Sequence, residues 1–398
     1  MKEIYSIYLS VLRSFVKGTA PEKVTAENWQ KMLELAHINN TKGILCHVYM
    51  SHPDLVPEEI RPFLRRQCLQ EVAVYAQRAE AMKQLAEVFD ENEIPCVFFK
   101  GFVVREYYPV PELRTFGDVD FLIRKEDREK SDALMKTLGY MPKDTWEPAY
   151  SYIKGNEHYE IHTDVMEIDV SDKADYISYF SHVWEHTRPA EVVNLSHGLE
   201  FTPEFHFLYL LTHIAKHISG SGAGVRMYLD LAFFIKRFEG GMDWNWITTE
   251  LEKLSLSDFA NMALSAVEAW FDVVSPLPLR PVEADILADF LDFTLSGGVY
   301  GYVGREKGLV FLKQQNPNEE QVSKGKTLLY HVFPPVGSMK NRYTYLQKQP
   351  WLLPVAWGHR LVVSRKEWGR FARNTKEILT ADEAEVRKLK RIYKELGL

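Results

Sequence analysis

The chain has 398 residues, 46% hydrophobic and 26% charged, the ordinary composition of a globular protein, and its length allows two or three domains or subdomains. A net charge of −7 argues against a protein that coats nucleic acid through a general basic surface, while leaving room for a local basic cleft. Three widely spaced cysteines (Cys46, Cys68, Cys96) with no CxxC pair argue against a disulfide framework and a zinc knuckle.

Residues 1–92 read as helical. The opening stretch to Val16 carries Glu3 and Arg13 in or beside its apolar run and no small-residue cleavage site, so it predicts an amphipathic helix and not a signal peptide. Pro57 to Asp90 places Leu64, Cys68, Val72 and Tyr75 at helical spacing. From Ile94 the pattern changes. Short apolar runs (Pro95 to Phe99, Val119 to Ile123) alternate with a helical stretch from Lys125 to Leu138, which Gly139 stops. Further strands are expected at Tyr150 to Thr163, Met166 to Val170, Val192 to Leu195 and Gly198 to Thr202. After Pro203 helices are predicted over Glu204 to Ile218, Val225 to Phe238, Trp244 to Leu254, Asp258 to Phe271 and Val282 to Leu295. Asn316 to Ser323 reads as a polar loop, and Ala381 to Leu398 as a charged amphipathic helix. The apolar stretch Trp351 to Val363 is too short to span a bilayer and contains His359 and Arg360. A cytoplasmic protein without a membrane partner is expected.

The stretch Val97 to Ile123 holds the densest chemistry: a strand, a Lys-Gly turn, a short helix, a loop, then a strand carrying Asp118 and Asp120. On an extended strand, residues two apart point the same way, which sets the two carboxylates side by side with Val119 turned away. Two such charges raise each other's pKa unless a cation lies between them. A hard divalent ion such as Mg²⁺ takes carboxylate oxygens and keeps positions open for phosphate and water. The pattern points to a phosphate-handling enzyme.

Lys100-Gly101, Tyr108-Pro109, Arg114 and Gly117-Asp118-Val119-Asp120 with Phe121-Leu122-Ile123 resemble the nucleotidyltransferase superfamily that includes DNA polymerase β. The similarity is greatest to its branch of uncharacterised bacterial nucleotidyltransferases, related to antitoxin-partnered nucleotidyltransferase toxins. It continues through Leu138-Gly139-Tyr140, Glu160-Ile161-His162, His213 to His217, Arg226, Asp230 and Phe333-Pro334-Pro335. The resemblance implies an α+β fold: a small mixed-sheet nucleotidyltransferase core (93–202) flanked by N-terminal (1–92) and C-terminal (203–398) helical regions. It also implies a two-metal transfer with Mg²⁺, or Mn²⁺ in its place, and an NTP as substrate. An acceptor attacks the α-phosphate and pyrophosphate leaves. The acceptor would be a small molecule, a protein side chain or an RNA end.

By that resemblance Asp118 and Asp120 would be metal ligands and catalytic, and a third carboxylate is needed on a neighbouring strand. Alternation puts His158, Glu160 and His162 on one face, so Glu160 is the first candidate, with Glu167 and Asp169 as the runner-up. Lys100, Gly101, Arg114 and Gly117 are expected at the nucleotide. The departure lies at the turn, where many superfamily members have Gly-Ser and this chain has Lys100-Gly101. Gly101 allows close backbone approach to phosphate, and Lys100 supplies charge. Arg114 reads either as a bidentate phosphate contact or as an internal partner of Asp118 or Asp120.

His162, Lys216, His217, Arg226 and Asp230 are candidate substrate contacts. The alternative is an i,i+4 salt bridge between Arg226 and Asp230, with His213 and His217 as capping residues. The two histidines have zinc spacing, but no Glu follows the first and no third ligand is evident, so zinc is not expected. Ser323 to Thr327 ends like a phosphate-binding loop, yet Glu320 stands at the required glycine and no strand precedes it. The missing serine at the turn leaves room for a nucleotide-binding or regulatory module without turnover, and the toxin relationship for an enzyme acting on tRNA or protein.

Overall fold

The computed structural model describes residues 2–115, 117–191, 193, 195–220, 222–299, 301, 323–339, 343–363, 368–380 and 382–398. Residues 316–322 of the expected polar loop, and Val192 and Asn194 of one expected strand, lie outside the described residues.

Short runs of aromatic and β-branched residues build one seven-stranded mixed sheet. Its strands are β1 (Cys96–Phe98), β2 (Val119–Leu122), β3 (Met141–Trp146), β4 (Ala149–Lys154), β5 (Glu157–His162), β6 (Thr187–Pro189) and β7 (Gly198–Phe201). They lie in the order β3-β4-β5-β2-β1-β7-β6. The central β2 runs antiparallel to β1 and parallel to β5. The expected single strand over 150–163 is a hairpin, because Gly155 takes φ +58° and turns β4 back into β5. Met166 to Val170 is not a strand. There the Asp169 carboxylate accepts the backbone N–H of Tyr176 (3.0 Å) and Ile177 (3.3 Å), tying the loop to the helix that follows. The edge strands β3 and β6 escape the sequence pattern because they are polar and contain Pro142 and Pro189, residues that an edge tolerates.

Four helices precede the sheet: α1 (Lys2–Lys17), α2 (Trp29–Ile38), α3 (Lys42–Met50) and the long α4 (Arg61–Glu91). Within it lie α5 (Gly101–Val104), α6 (Arg128–Thr137) and α7 (Tyr176–Phe180). After it come α8 (Pro203–Gly220), α9 (Val225–Phe238), α10 (Trp244–Lys253), α11 (Ser257–Phe271) and α12 (Ala284–Gly297). Period-2 alternation divides the sheet between two apolar cores. Phe98, Val119, Phe121, Tyr159 and Ile161 face Tyr75, Met82, Phe89 and Met135 of α4 and α6. Val97, Phe99, Leu122 and Phe201 face Phe205, Leu208 and Tyr209 of α8. The second core also takes Tyr8, Leu12 and Phe15 of α1, so helices before and after the sheet share one interior.

The C-terminal part adds α13 (Lys324–Val332), α14 (Val336–Met339), α15 (Leu353–Val363), α16 (Trp368–Thr380) and α17 (Glu383–Leu396). Met339, Tyr343, Leu346 and Ala356 form a small separate core. The last helix returns to the main body, where its Tyr393 hydroxyl donates to the Ile218 carbonyl and Val386 and Ile392 join the large core. Among the described residues no helix is long and apolar enough to cross a membrane.

Candidate active site

The alternation that buries Val119, Phe121, Tyr159 and Ile161 on one face of the sheet forces Asp120, Glu160 and His162 onto the other, towards α8. Parallel pairing of β2 with β5 sets Asp120 opposite Glu160 and Leu122 opposite His162. Asp120 Oδ1 receives the Lys100 ammonium at 2.8 Å and His162 Nε2 at 2.8 Å. His162 Nε2 lies 3.7 Å from Glu160 Oε2, while Ser151 Oγ on β4 donates to Glu160 Oε1 at 3.2 Å. One ligand atom from each of Asp120, Glu160 and His162 falls within 4.8 Å of the others. Asp118 sits in the bend before β2 and lines the same cleft, outside that close cluster. Glu167 and Asp169 are not in that cluster: Glu167 lines the cleft but lies 3.3 Å from Lys216, and Asp169 accepts the first two amides of α7.

Electrostatics separate the two strand acids. Burial would raise the Asp120 carboxyl, but the Lys100 ammonium and the His162 ring outweigh it and hold Asp120 well below the usual carboxylate range. Burial and the charges of Asp120 and Asp118 push Glu160 up. The cluster therefore holds more acid than its lysine neutralises. Hard carboxylate oxygens with surplus negative charge fit a divalent cation such as Mg²⁺, with Asp120 and Glu160 as its nearest holders and Asp118 beside them.

The Lys-Gly turn owes its form to three contacts. Lys100 adopts φ 53°, ψ −133°, a strained conformation for a residue with a side chain. Its backbone N–H donates to His206 Nε2 at 3.1 Å, and burial lowers the His206 pKa to about 3, which keeps that ring neutral and able to accept. At Gly101 a Cβ would lie 2.0 Å from Arg114 Nη1, so a guanidinium fills the space a side chain would need. Arg114 pairs with neither Asp118 nor Asp120. It forks onto Asp230 of α9, Nε to Oδ1 at 3.1 Å and Nη2 to Oδ2 at 2.6 Å, and the Tyr108 hydroxyl adds a third bond to Asp230 at 2.7 Å.

Helices α8 and α9 supply the opposite wall of a cleft of about 310 Å³ that also takes in Gly101, Gly117 and Asp118. Arg226 does not bridge to Asp230. Its Nη1 donates to the carbonyl and, at 2.9 Å, to the hydroxyl of Thr115. His213 and His217 place their Nε2 atoms 3.2 Å apart, and burial lowers both, His217 to about 4. Thus His162, Lys216, His217, Arg226 and Asp230 all reach the cleft that holds the acids. Ser151 and His206 were not singled out by sequence reasoning. Ser151 could have been found by extending the alternation argument across the hairpin, whereas nothing local marks His206 as the acceptor for a turn 106 residues away.

A small mixed sheet whose adjacent acids face a helical wall defines an α+β nucleotidyltransferase-type core. A family model of uncharacterised nucleotidyltransferases matches residues 25–272, and the chain belongs to that family. The match takes in α2 to α4 before the sheet and runs to the end of α11. No curated protein and no solved structure matched the chain.

Proposed function

We propose that the protein is a Mg²⁺-dependent nucleotidyltransferase that moves a nucleotidyl group from an NTP to an acceptor nucleophile. The observation that carries this reading is the pairing of Asp120 with Glu160 on neighbouring strands, with Asp118 in the same cleft. Bound Mg²⁺ supplies Lewis-acid stabilisation of the attacking and leaving oxygens. Asp120, Glu160 and Asp118 are the residues that would hold it. Glu160 keeps one oxygen on Ser151, and its other oxygen would hold the ion and so lower the barrier to deprotonating the nucleophile. Lys100 balances Asp120 until a substrate phosphate competes for its ammonium. The α8–α9 wall, with Lys216 and His217, bounds the cleft on the side facing the acids.

The test is incubation with Mg²⁺ and each labelled NTP, with small molecules, tRNA and protein as acceptors, following pyrophosphate release and label transfer. Asp118→Asn, Asp120→Asn and Glu160→Gln should each lower turnover by about 100-fold or more, and Asp169→Asn should retain it. Turnover surviving in Asp120→Asn and Glu160→Gln would refute the reading. A loss confined to Asp169→Asn would move the third acid there. NTP binding without turnover on any acceptor would favour a binding module, a reading supported by the lysine already seated on Asp120.

A further inference from the structure

The charged groups of the cleft pair off unevenly. Lys100 is matched by Asp120, Arg114 by Asp230 and Lys216 by Glu167. Arg226 is matched by no carboxylate among the described residues. It spends Nη1 on the neutral Thr115, while its Nε is buried and has no hydrogen-bond partner. A half-buried guanidinium with no carboxylate bonded to it is costly, although Asp230 one turn along the helix offsets part of its charge. Burial and the neighbouring Arg114 charge push Arg226 down from the ordinary guanidinium range, against a partial opposing pull from Asp230.

Its place on the helix makes the point independently. Arg226 is the second residue of the 14-residue α9, two positions after the N-cap Gly224. The helix dipole makes that end positive and disfavours a cation there, unless an anion sits against both. Arg226 also lines the cleft that holds Asp118, Asp120 and Glu160.

We propose that Arg226 and the N-terminal end of α9 form an anion subsite for the terminal phosphates of the NTP. This rests on the proposed nucleotidyl transfer and assigns the two ends of the donor. The reacting α-phosphate belongs with the acids of the sheet, so the remaining phosphates extend from them to the wall whose cation, among the described residues, has no carboxylate bonded to it. Arg114, locked on Asp230 and packed over Gly101, is not that phosphate contact. Because Arg226 also grips Thr115, three residues before Asp118, phosphate binding and the placement of the acid loop are tied through one side chain.

The test is calorimetric titration of the full chain with inorganic tripolyphosphate in Mg²⁺, for wild type and Arg226→Gln, beside thermal melting of each. Wild type should bind, and Arg226→Gln should bind about 10- to 100-fold more weakly. Where Arg226→Gln fails to fold, Arg226→Lys, which keeps the charge and loses the fork, should still bind several-fold more weakly. Unchanged affinity in a folded variant, or no binding to wild type, overturns the subsite. Tripolyphosphate should also displace a bound NTP. Arg226-dependent binding without such competition would mean that the subsite takes a phosphate of the acceptor, which overturns the assignment to the donor. Arg226-dependent, NTP-competitive binding in a protein without turnover would sink the enzymatic reading and leave the subsite standing.

Discussion

Lys100→Met removes the ammonium that sits 2.8 Å from Asp120, a carboxylate whose side chain is 11% exposed. At an effective dielectric of 20 that contact carries about 6 kcal/mol of attraction. Desolvation offsets part of it, and breaking a pair this buried by removing one partner costs about 3–5 kcal/mol. The pH dependence follows from the direction of the Asp120 shift. Burial opposes it, but Lys100 and His162 hold the folded carboxyl below its unfolded value, so the stabilisation is fully present above pH ~4 and fades as pH falls below that. The gap between wild type and Lys100→Met should therefore be widest near neutrality and narrow in acid. A divalent cation should restore the missing charge. Mg²⁺ at a hundred times its dissociation constant adds about 2.7 kcal/mol to a protein that binds it only when folded. The variant should gain more than the wild type, in which the lysine competes for the same oxygen. Urea denaturation in EDTA and in MgCl₂, near neutrality and below pH ~4, measures all three effects. Equal stability of the two proteins in EDTA, or equal gains in Mg²⁺, would refute the reasoning.

Gly101→Ala drives a methyl group into Arg114 Nη1 at 2.0 Å, and should cost about 1–3 kcal/mol in urea denaturation as the guanidinium is pushed off Asp230. Asp230→Asn leaves the Arg114 guanidinium buried without a counter-charge and should cost about 3–5 kcal/mol, whereas Arg114→Met combined with Asp230→Leu should cost less than the two single losses together in a double-mutant cycle. Glu160→Gln should flatten part of the metal-free stability profile. The raised Glu160 carboxyl contributes stability that is present below its unfolded pKa and lost as pH rises through the folded one, so wild type but not the variant should weaken just above the ordinary carboxylate range, read by thermal melting in EDTA. Asp169→Asn should lose about 0.5–2 kcal/mol by weakening the bonds to the first two amides of α7, with the N-cap Asp175 intact, and keep any turnover.

Much of the fold was legible because its signals are local. The 3.6-residue period places α8 to α12 and α17 within a few residues of where they lie, and α9 at the same bounds. Alternation alone puts His158, Glu160 and His162 on one face of β5, since Tyr159 and Ile161 must go to the core. Where the signal is a contact, the sequence is silent. The i,i+4 spacing of Arg226 and Asp230 invites a salt bridge along one helix. Asp230 instead turns to Arg114, 116 residues away, because a fork fits a carboxylate better than an intrahelical neighbour can. The Met166 to Val170 stretch has the alternation of a strand, but its Asp169 accepts the first two amides of α7, beside the N-cap Asp175, and so ties the stretch to that helix as a loop.

The Lys-Gly turn shows why residue type and residue role came apart. A serine at that turn would offer a hydroxyl and amides to phosphate; in its place the sequence offers Gly101, which admits a phosphate close to the backbone, and Lys100, which supplies charge. In the folded chain the dipeptide clasps the sheet to the helices: the Lys100 amide to His206 of α8, the Lys100 ammonium to Asp120 of β2, and the bare Gly101 under the Arg114 that holds Asp230 of α9. Each of those groups is occupied, and the strain of a positive φ at Lys100 is sustained by the contacts at both ends of the residue. A turn committed in this way meets a triphosphate only where a phosphate draws the Lys100 ammonium off Asp120. The cation without a carboxylate partner among the described residues, Arg226, lies on the α8–α9 wall, which is why the proposed phosphate subsite is placed there.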